Sequence, residues 1–197
     1  MTVCLLLAAG SSSRMSQPKM LLTFNGKSFL QHAIDEIGKV KDVKLVVVTG
    51  SYHTLLKEIL SPRQITVTEN KNWEQGMGSS IQAGISYVID NYIEAENVIL
   101  LVSDQPHISS SLLEELITTK TQSGKGIVAA GYDNTIGTPI LFGKKYFEEL
   151  TLLQGATGAK KIAKTNMDDI AVVPFPLGAI DIDTAQDYED LLQQHQR

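Results

Sequence analysis

Between Ala8 and Lys19 the chain reads AAGSSSRMSQPK: small residues, three serines, an arginine and, five positions later, a lysine. A loop with so little side-chain bulk lets a ligand approach the backbone, and successive N–H groups from Gly10 to Ser13 can form an anion nest. Arg14 and Lys19, read as exposed loop residues, add fixed positive charge there. Taken alone, the stretch is equally a tight turn carrying two solvated cations. A second signal is VSDQPH, which sets Asp104 directly after an apolar run. A carboxylate in that place can hold Mg²⁺ through one or two oxygens, and an Asp at a strand end also serves as a turn former or helix cap. The third is WEQGMGSSIQAG. Gly76 and Gly78 permit close approach, and Ser79 or Ser80 can donate hydrogen bonds at a helix N-terminus or simply cap that helix. Trp73, the one tryptophan, can stack on a base but reads more simply as packing.

The surrounding pattern says how these segments meet. Val3–Leu7 is a short apolar run without polar alternation, which fits a central strand covered on both faces. Strand signals recur at Lys44–Thr49, Ile65–Glu69, from Asn97, at Ile127–Ala130 and at Ile140–Phe142. Helical spacing marks Phe29 to Ile37 behind an Asn25-Gly26 turn and a Ser28 N-cap, then Tyr52 to Leu60 ahead of Pro62, Ser79–Asn91 and Ser109–Thr121. Short helices are expected around Tyr146 and over Gly158–Lys164, and the chain should end strand, strand, helix. This alternation predicts a single α/β domain over residues 1–197: a three-layer α/β/α, Rossmann-like arrangement with a mainly parallel sheet. Such sheets bind ligands beyond the carboxyl ends of their strands, where residues 8–19, 69–80 and 103–107 would share one rim.

Composition narrows the partners. The chain has 17 Lys and Arg against 22 Asp and Glu, so its net charge of −5 supplies no global field for nucleic acid or an anionic membrane. An anionic ligand therefore needs a local basic pocket. No apolar run approaches the length of a membrane span and no basic-then-apolar leader is visible, so the expected location is cytoplasmic. Cys4 is the only cysteine, which excludes an internal disulfide, and its place in the first apolar run marks it as a buried, inert thiol.

The segments LLAAGSSSRMSQPK, NxxWxxGMGSSIxxG, VSDQP, GTPILF and DIDTAQDY occur in that order over nearly the whole chain. Together they resemble the MobA-like nucleotidyltransferases, in particular the molybdenum cofactor cytidylyltransferase branch. The resemblance implies a nucleoside triphosphate wrapped by the first loop, with Leu7, Ala8, Ala9, Gly10 and Ser11 along it and Arg14 and Lys19 on the phosphates. It implies Mg²⁺ on Asp104, and Gly76, Ser80 and Gly84 around base and ribose. LAAG at Leu7–Gly10 points to CTP rather than GTP. The implied reaction is transfer of CMP to a molybdopterin-like phosphate with release of pyrophosphate, and the implied partner is a molybdoenzyme or its chaperone. Asp183, in the terminal DID, is either a further metal ligand or a cap or salt-bridge partner. Three places depart from the family pattern: Ser16 stands where a glycine is usual, Gly137-Thr138-Pro139 replaces GHP, and Gly155-Ala156-Thr157-Gly158-Ala159-Lys160 replaces GDxGAR. The missing Asp at Ala156 bears on the acceptor, so a sugar or alcohol phosphate acceptor and a non-catalytic nucleotide or cofactor chaperone stay open beside the leading reading.

Overall fold

A computed structural model describes residues 1–12, 15, 17–180 and 182–194 of the chain. Strand β1 (Thr2–Ala8) is followed by a small hairpin of β2 (Thr23–Phe24) and β3 (Lys27–Ser28). Asn25 and Gly26 both have positive φ there, 52° and 78°, the two-residue turn that an Asn-Gly pair favours. Ser28 then caps α1 (Phe29–Lys39) by accepting from the Gln31 amide, as its sequence position predicts. The chain continues through β4 (Val43–Thr49), α2 (His53–Leu60), β5 (Thr66–Glu69), α3 (Met77–Asn91), β6 (Asn97–Val102) and α4 (Ser110–Ser123). It ends with β7 (Ile127–Tyr132), β8 (Thr135–Gly143), α5 (Phe147–Thr151), α6 (Lys160–Thr165), β9 (Ile170–Pro174) and α7 (Ala185–Gln194).

Seven of these strands form one sheet in the order β5-β4-β1-β6-β8-β7-β9. All pairings are parallel except those of β8, which is antiparallel to both β6 and β7. The period-two pleat of β1 sorts its side chains: Val3, Leu5 and Leu7 join a core with Ile81, Ile85 and Val88 of α3, while Cys4, Leu6 and Ala8 join another with α1, α2 and α4. These are the three layers expected. Cys4 is fully buried, and burial pushes its thiol far above the ordinary range, so it is inert as predicted. No helix among the described residues is long and apolar enough to cross a membrane.

One expected element is different. Among the described residues the second of the two terminal strands does not form, because Pro176–Ala179 closes into a 3-10 turn and Ile182 lies off the sheet. It packs instead with Leu22, Phe24, Phe29 and Leu191 in a small cluster that ties α7 to the β2–β3 hairpin. The turn before α7 is set by a reciprocal cap. Thr184 Oγ1 accepts from the Asp187 amide at 3.2 Å, and Asp187 Oδ2 accepts from the amides of Thr184 at 2.6 Å and Asp183 at 3.0 Å. The hydrogen bonds from Thr184 hold the Asp187 carboxyl below the usual carboxylate range. This cap fixes the backbone of Asp183.

Candidate active site

The carboxyl ends of β1, β4, β5 and β6 open onto a cavity of about 390 Å³. Three of the loops that follow these strands line it. From β1 come Leu7, Ala9 and Gly10 to Ser12, with Lys19 farther along; from the segment after β5 come Trp73, Glu74, Gly76, Met77 and Ser80; and from β6 come Val102, Ser103 and Asp104. The three rim segments expected from the sequence therefore do meet.

The first loop is held by the turn after β4. Ser51 donates its amide to Ala9 O at 3.2 Å, and Tyr52 Oη donates to Ser11 O at 2.8 Å. Gly50 is required between them, since a Cβ there would stand 2.6 Å from Ala9 O and 2.7 Å from Trp73 Cβ. Ser12 takes a left-handed conformation (φ 51°), one of the two conformations that an anion nest combines. Among the described residues the amides of Gly10, Ser11 and Ser12 donate to no protein acceptor, which leaves three backbone donors for a ligand. Ser12 Oγ accepts from the Lys19 amide at 2.9 Å and closes the loop. Arg14 lies outside the described residues.

Lys19 differs from expectation. Its side chain is only 14% exposed, because its ammonium points inward and pairs with the Asp183 carboxylate, itself 46% exposed. The C-terminal segment thus reaches the loop after β1, where Asp183 is a salt-bridge partner of Lys19. Two further assignments change. Ala8 is buried on the α1/α2/α4 face and does not line the cavity, since the strand pleat turns it away from Leu7 and Ala9. Gly84 is not at the cavity either. It faces the sheet, where a Cβ would meet Val48 Cγ2 at 2.9 Å and Leu5 Cδ1 at 3.0 Å, so it is a glycine of helix-on-sheet packing.

Gly76 and Gly78 are needed for another close approach. A Cβ on Gly76, whose φ is 97°, would lie 2.6 Å from Gly155 O, and the Gly78 amide donates to that same carbonyl at 2.9 Å. The segment around Ala156 therefore lies against the start of α3, beside the cavity. Sequence reasoning missed Asn70, which is buried and donates to both Ser79 Oγ and Ser80 Oγ, and it set Trp73 aside although Trp73 lines the cavity. Gln105 was also missed. It is 5% exposed, its Nε2 donates to Thr138 O at 3.1 Å and Gly178 O at 3.2 Å, and it ties the loop carrying Asp104 to two others. His107 stands edge-on to Phe24, at 5.8 Å between centroids, in a separate cavity of about 270 Å³.

Of the two carboxylates that the sequence offers for a cation, Asp104 lines the cavity and Asp183 is paired with Lys19, which lines it. Among the described residues no group of three or more His, Cys, Asp or Glu could hold a metal by itself. Hard oxygen donors in this number suit an ion such as Mg²⁺, which is typically held by one or two carboxylates and completed by water and substrate phosphate.

Residues 4–170 match the MobA-like NTP transferase domain. The chain belongs to that family. The bifunctional protein GlmU of Francisella tularensis subsp. novicida is 30% identical over 134 residues, which are 67% of this chain but only 28% of that protein. The crystal structure of an Rv0371c homologue from Mycobacterium sp. strain JC1 superposes with a TM-score of 0.82 at 25% identity, covering 98% of this chain and 96% of the other. Rv0371c of Mycobacterium tuberculosis, solved in complex with manganese, gives a TM-score of 0.80 at 22% identity, with 98% of each chain covered. The chain is thus a member of a nucleotidyltransferase family with the family's mostly parallel sheet.

Proposed function

We propose that the protein transfers CMP from CTP to the phosphate of molybdopterin or its metal-loaded form, releasing pyrophosphate. The observation that carries this reading is the meeting, in one cavity, of Lys19 and Asp104 with three backbone amides that have no acceptor among the described residues. Amides and ammonium bind the β- and γ-phosphates. An oxygen of the acceptor phosphate attacks the α-phosphorus; the new O–P bond forms as the bond from the α-phosphorus to the bridging oxygen breaks, and pyrophosphate leaves. The acceptor oxygen is already ionised near neutral pH, so no general base is needed, in keeping with His107 lying in a separate cavity. Charge grows on the departing pyrophosphate, where Lys19 and the fixed amides stabilise it without reorganisation, joined by Arg14. Asp104 and Asp183 are the residues to hold Mg²⁺, which when bound supplies charge neutralisation between two anionic reactants. Lys19, paired with Asp183, would divide its ammonium between that carboxylate and the phosphates.

Ala9 and Leu7 in the lining favour the smaller base, and with Trp73 against Gly50 this supports CTP over GTP. Ala156 beside the cavity, in place of the family's aspartate, supports a second reading in which the acceptor is a sugar or alcohol phosphate. A pyrophosphate-release assay with CTP and Mg²⁺ separates the two. Release that requires molybdopterin, with formation of its cytidine dinucleotide, is the expected result. Release with a sugar phosphate and none with molybdopterin would overturn the leading reading. On the same reading the product passes to a molybdoenzyme or its chaperone.

A further inference from the structure

Asn70 follows β5 and is 3% exposed, so its amide must find partners inside the protein. Its Nδ2 donates to Ser79 Oγ at 2.9 Å and to Ser80 Oγ at 3.0 Å, while its Oδ1 accepts from the Asn72 amide at 2.9 Å. A backbone N–H can only donate, so the atom facing Asn72 is the oxygen, and the orientation of the side-chain amide is fixed. Each serine hydroxyl has one proton to place. Ser79 directs its own to the carbonyls of Gly76 at 2.8 Å and Asn72 at 2.9 Å. Ser80 accepts from Asn70, and among the described residues its hydroxyl proton meets no protein acceptor. Ser80 lines the cavity.

We infer that Asn70 is a positioning residue that makes Ser80 a hydrogen-bond donor to the base edge of the nucleotide. Asn70 takes one of the two lone pairs of the Ser80 hydroxyl and steers its proton away from Asn70, so the O–H is what the hydroxyl offers the ligand. The cavity therefore favours a carbonyl oxygen or an unprotonated ring nitrogen at this point. The inference rests on the reading of the cavity as a nucleoside triphosphate site and adds to it the polarity of one contact and the residue that sets it.

Asn70→Asp tests this because it keeps the shape and exchanges two donors for an acceptor. The Ser80 proton then turns back to the carboxylate, and Ser80 presents only lone pairs to the ligand. The variant also adds negative charge near a triphosphate, so it is examined in a double-mutant cycle with Ser80→Ala. Wild type, both single variants and the double variant are titrated with the nucleoside triphosphate that the wild type binds most tightly, and with inorganic triphosphate. Ser80→Ala is expected to weaken the nucleotide about tenfold, the loss of one hydrogen bond, and to leave inorganic triphosphate unchanged. Asn70→Asp weakens the nucleotide by at least as much in the wild-type background. In the Ser80→Ala background it weakens the nucleotide only by the factor that inorganic triphosphate also shows. Multiplicative losses in the double variant would overturn the inference while leaving the nucleotide site intact. A wild type that binds no nucleoside triphosphate would overturn both. If Asn70→Asp does not fold, Asn70→Ala, which withdraws the donors without adding charge, goes through the same cycle, and independent losses there overturn the inference equally.

Discussion

Two lysine–aspartate pairs sit at the two edges of the sheet, and they are built for different ends. At the amino edge, Lys145 Nζ lies 2.7 Å from Asp169 Oδ2, which also accepts from Tyr146 Oη at 2.5 Å, and Asp169 Oδ1 accepts from the Gly126 amide at 3.0 Å. The hydrogen bonds from Lys145 and then Tyr146 hold the Asp169 carboxyl far below the usual carboxylate range, and burial with the Asp169 contact pushes the Tyr146 phenol upward. This cluster fastens the starts of β7 and β9 to the turn after β8 and lines neither cavity described above. At the carboxyl edge, Lys19 pairs with Asp183 while facing the cavity that also holds Asp104. The same two residue types thus make a clasp in one place and a pair beside a cavity in the other. What separates them is the adjoining empty volume, which is not a property of the residues themselves.

The comparison predicts a division between kinetics and stability. The largest effect is expected from Asp104→Asn, which keeps the shape but removes the charged oxygen ligand. Divalent-metal-dependent pyrophosphate release should be abolished with the thermal midpoint nearly unchanged, and an unaltered metal titration would return Asp104 to the role of a turn former. Next, Lys19→Ala should lower turnover about tenfold to a thousandfold, the range for losing one charged transition-state contact. Its stability cost should stay within about 1 kcal/mol, because its partner is half exposed and such pairs contribute little. A variant that loses stability but keeps wild-type kinetics would make this pair a second clasp.

The smallest effect is expected at the other edge, from Asp169→Asn, which should cost about 1–2 kcal/mol in denaturant unfolding and leave kcat/KM unchanged. The pH dependence has a definite sign. The Asp169 pKa is lowered by folding, so its contribution is complete above the unfolded carboxylate value, near pH 4, and is lost as pH falls from there toward the depressed native value. Wild type and Asp169→Asn should therefore differ in stability at neutral pH and converge in acid. A difference that grows on acidification would contradict the clasp.

The parts of this arrangement that the sequence disclosed were those written in local pattern. Unbroken apolar runs located β1, β4 and β6, the Asn25-Gly26 pair located the hairpin, and the order of strands put three loops on one rim. What escaped depends on contacts between distant segments. Ala8 and Gly84 are ordinary members of motifs, and only the pleat and the packing against Val48 and Leu5 show that they face away from the cavity. Lys19 read as solvent-exposed because its partner is 164 residues away in sequence. The DID segment has strand-like alternation, but the Thr184–Asp187 cap and the burial of Ile182 among Leu22 and Phe29 take it out of the sheet. Asn70 stood inside a quoted motif, yet its hold on both serines is a fact of three dimensions.

Nucleotide binding by the wild type and by Lys19→Ala, followed as the thermal shift with CTP, GTP, UTP and ATP in the presence of Mg²⁺, tests the central claim most directly. Stabilisation by a ligand rises with its concentration over its dissociation constant, so the four shifts rank the affinities. The account predicts the largest shift with CTP, a smaller one when Mg²⁺ is withheld, and a marked loss in Lys19→Ala. No shift with any nucleoside triphosphate, or equal shifts in wild type and variant, would contradict it.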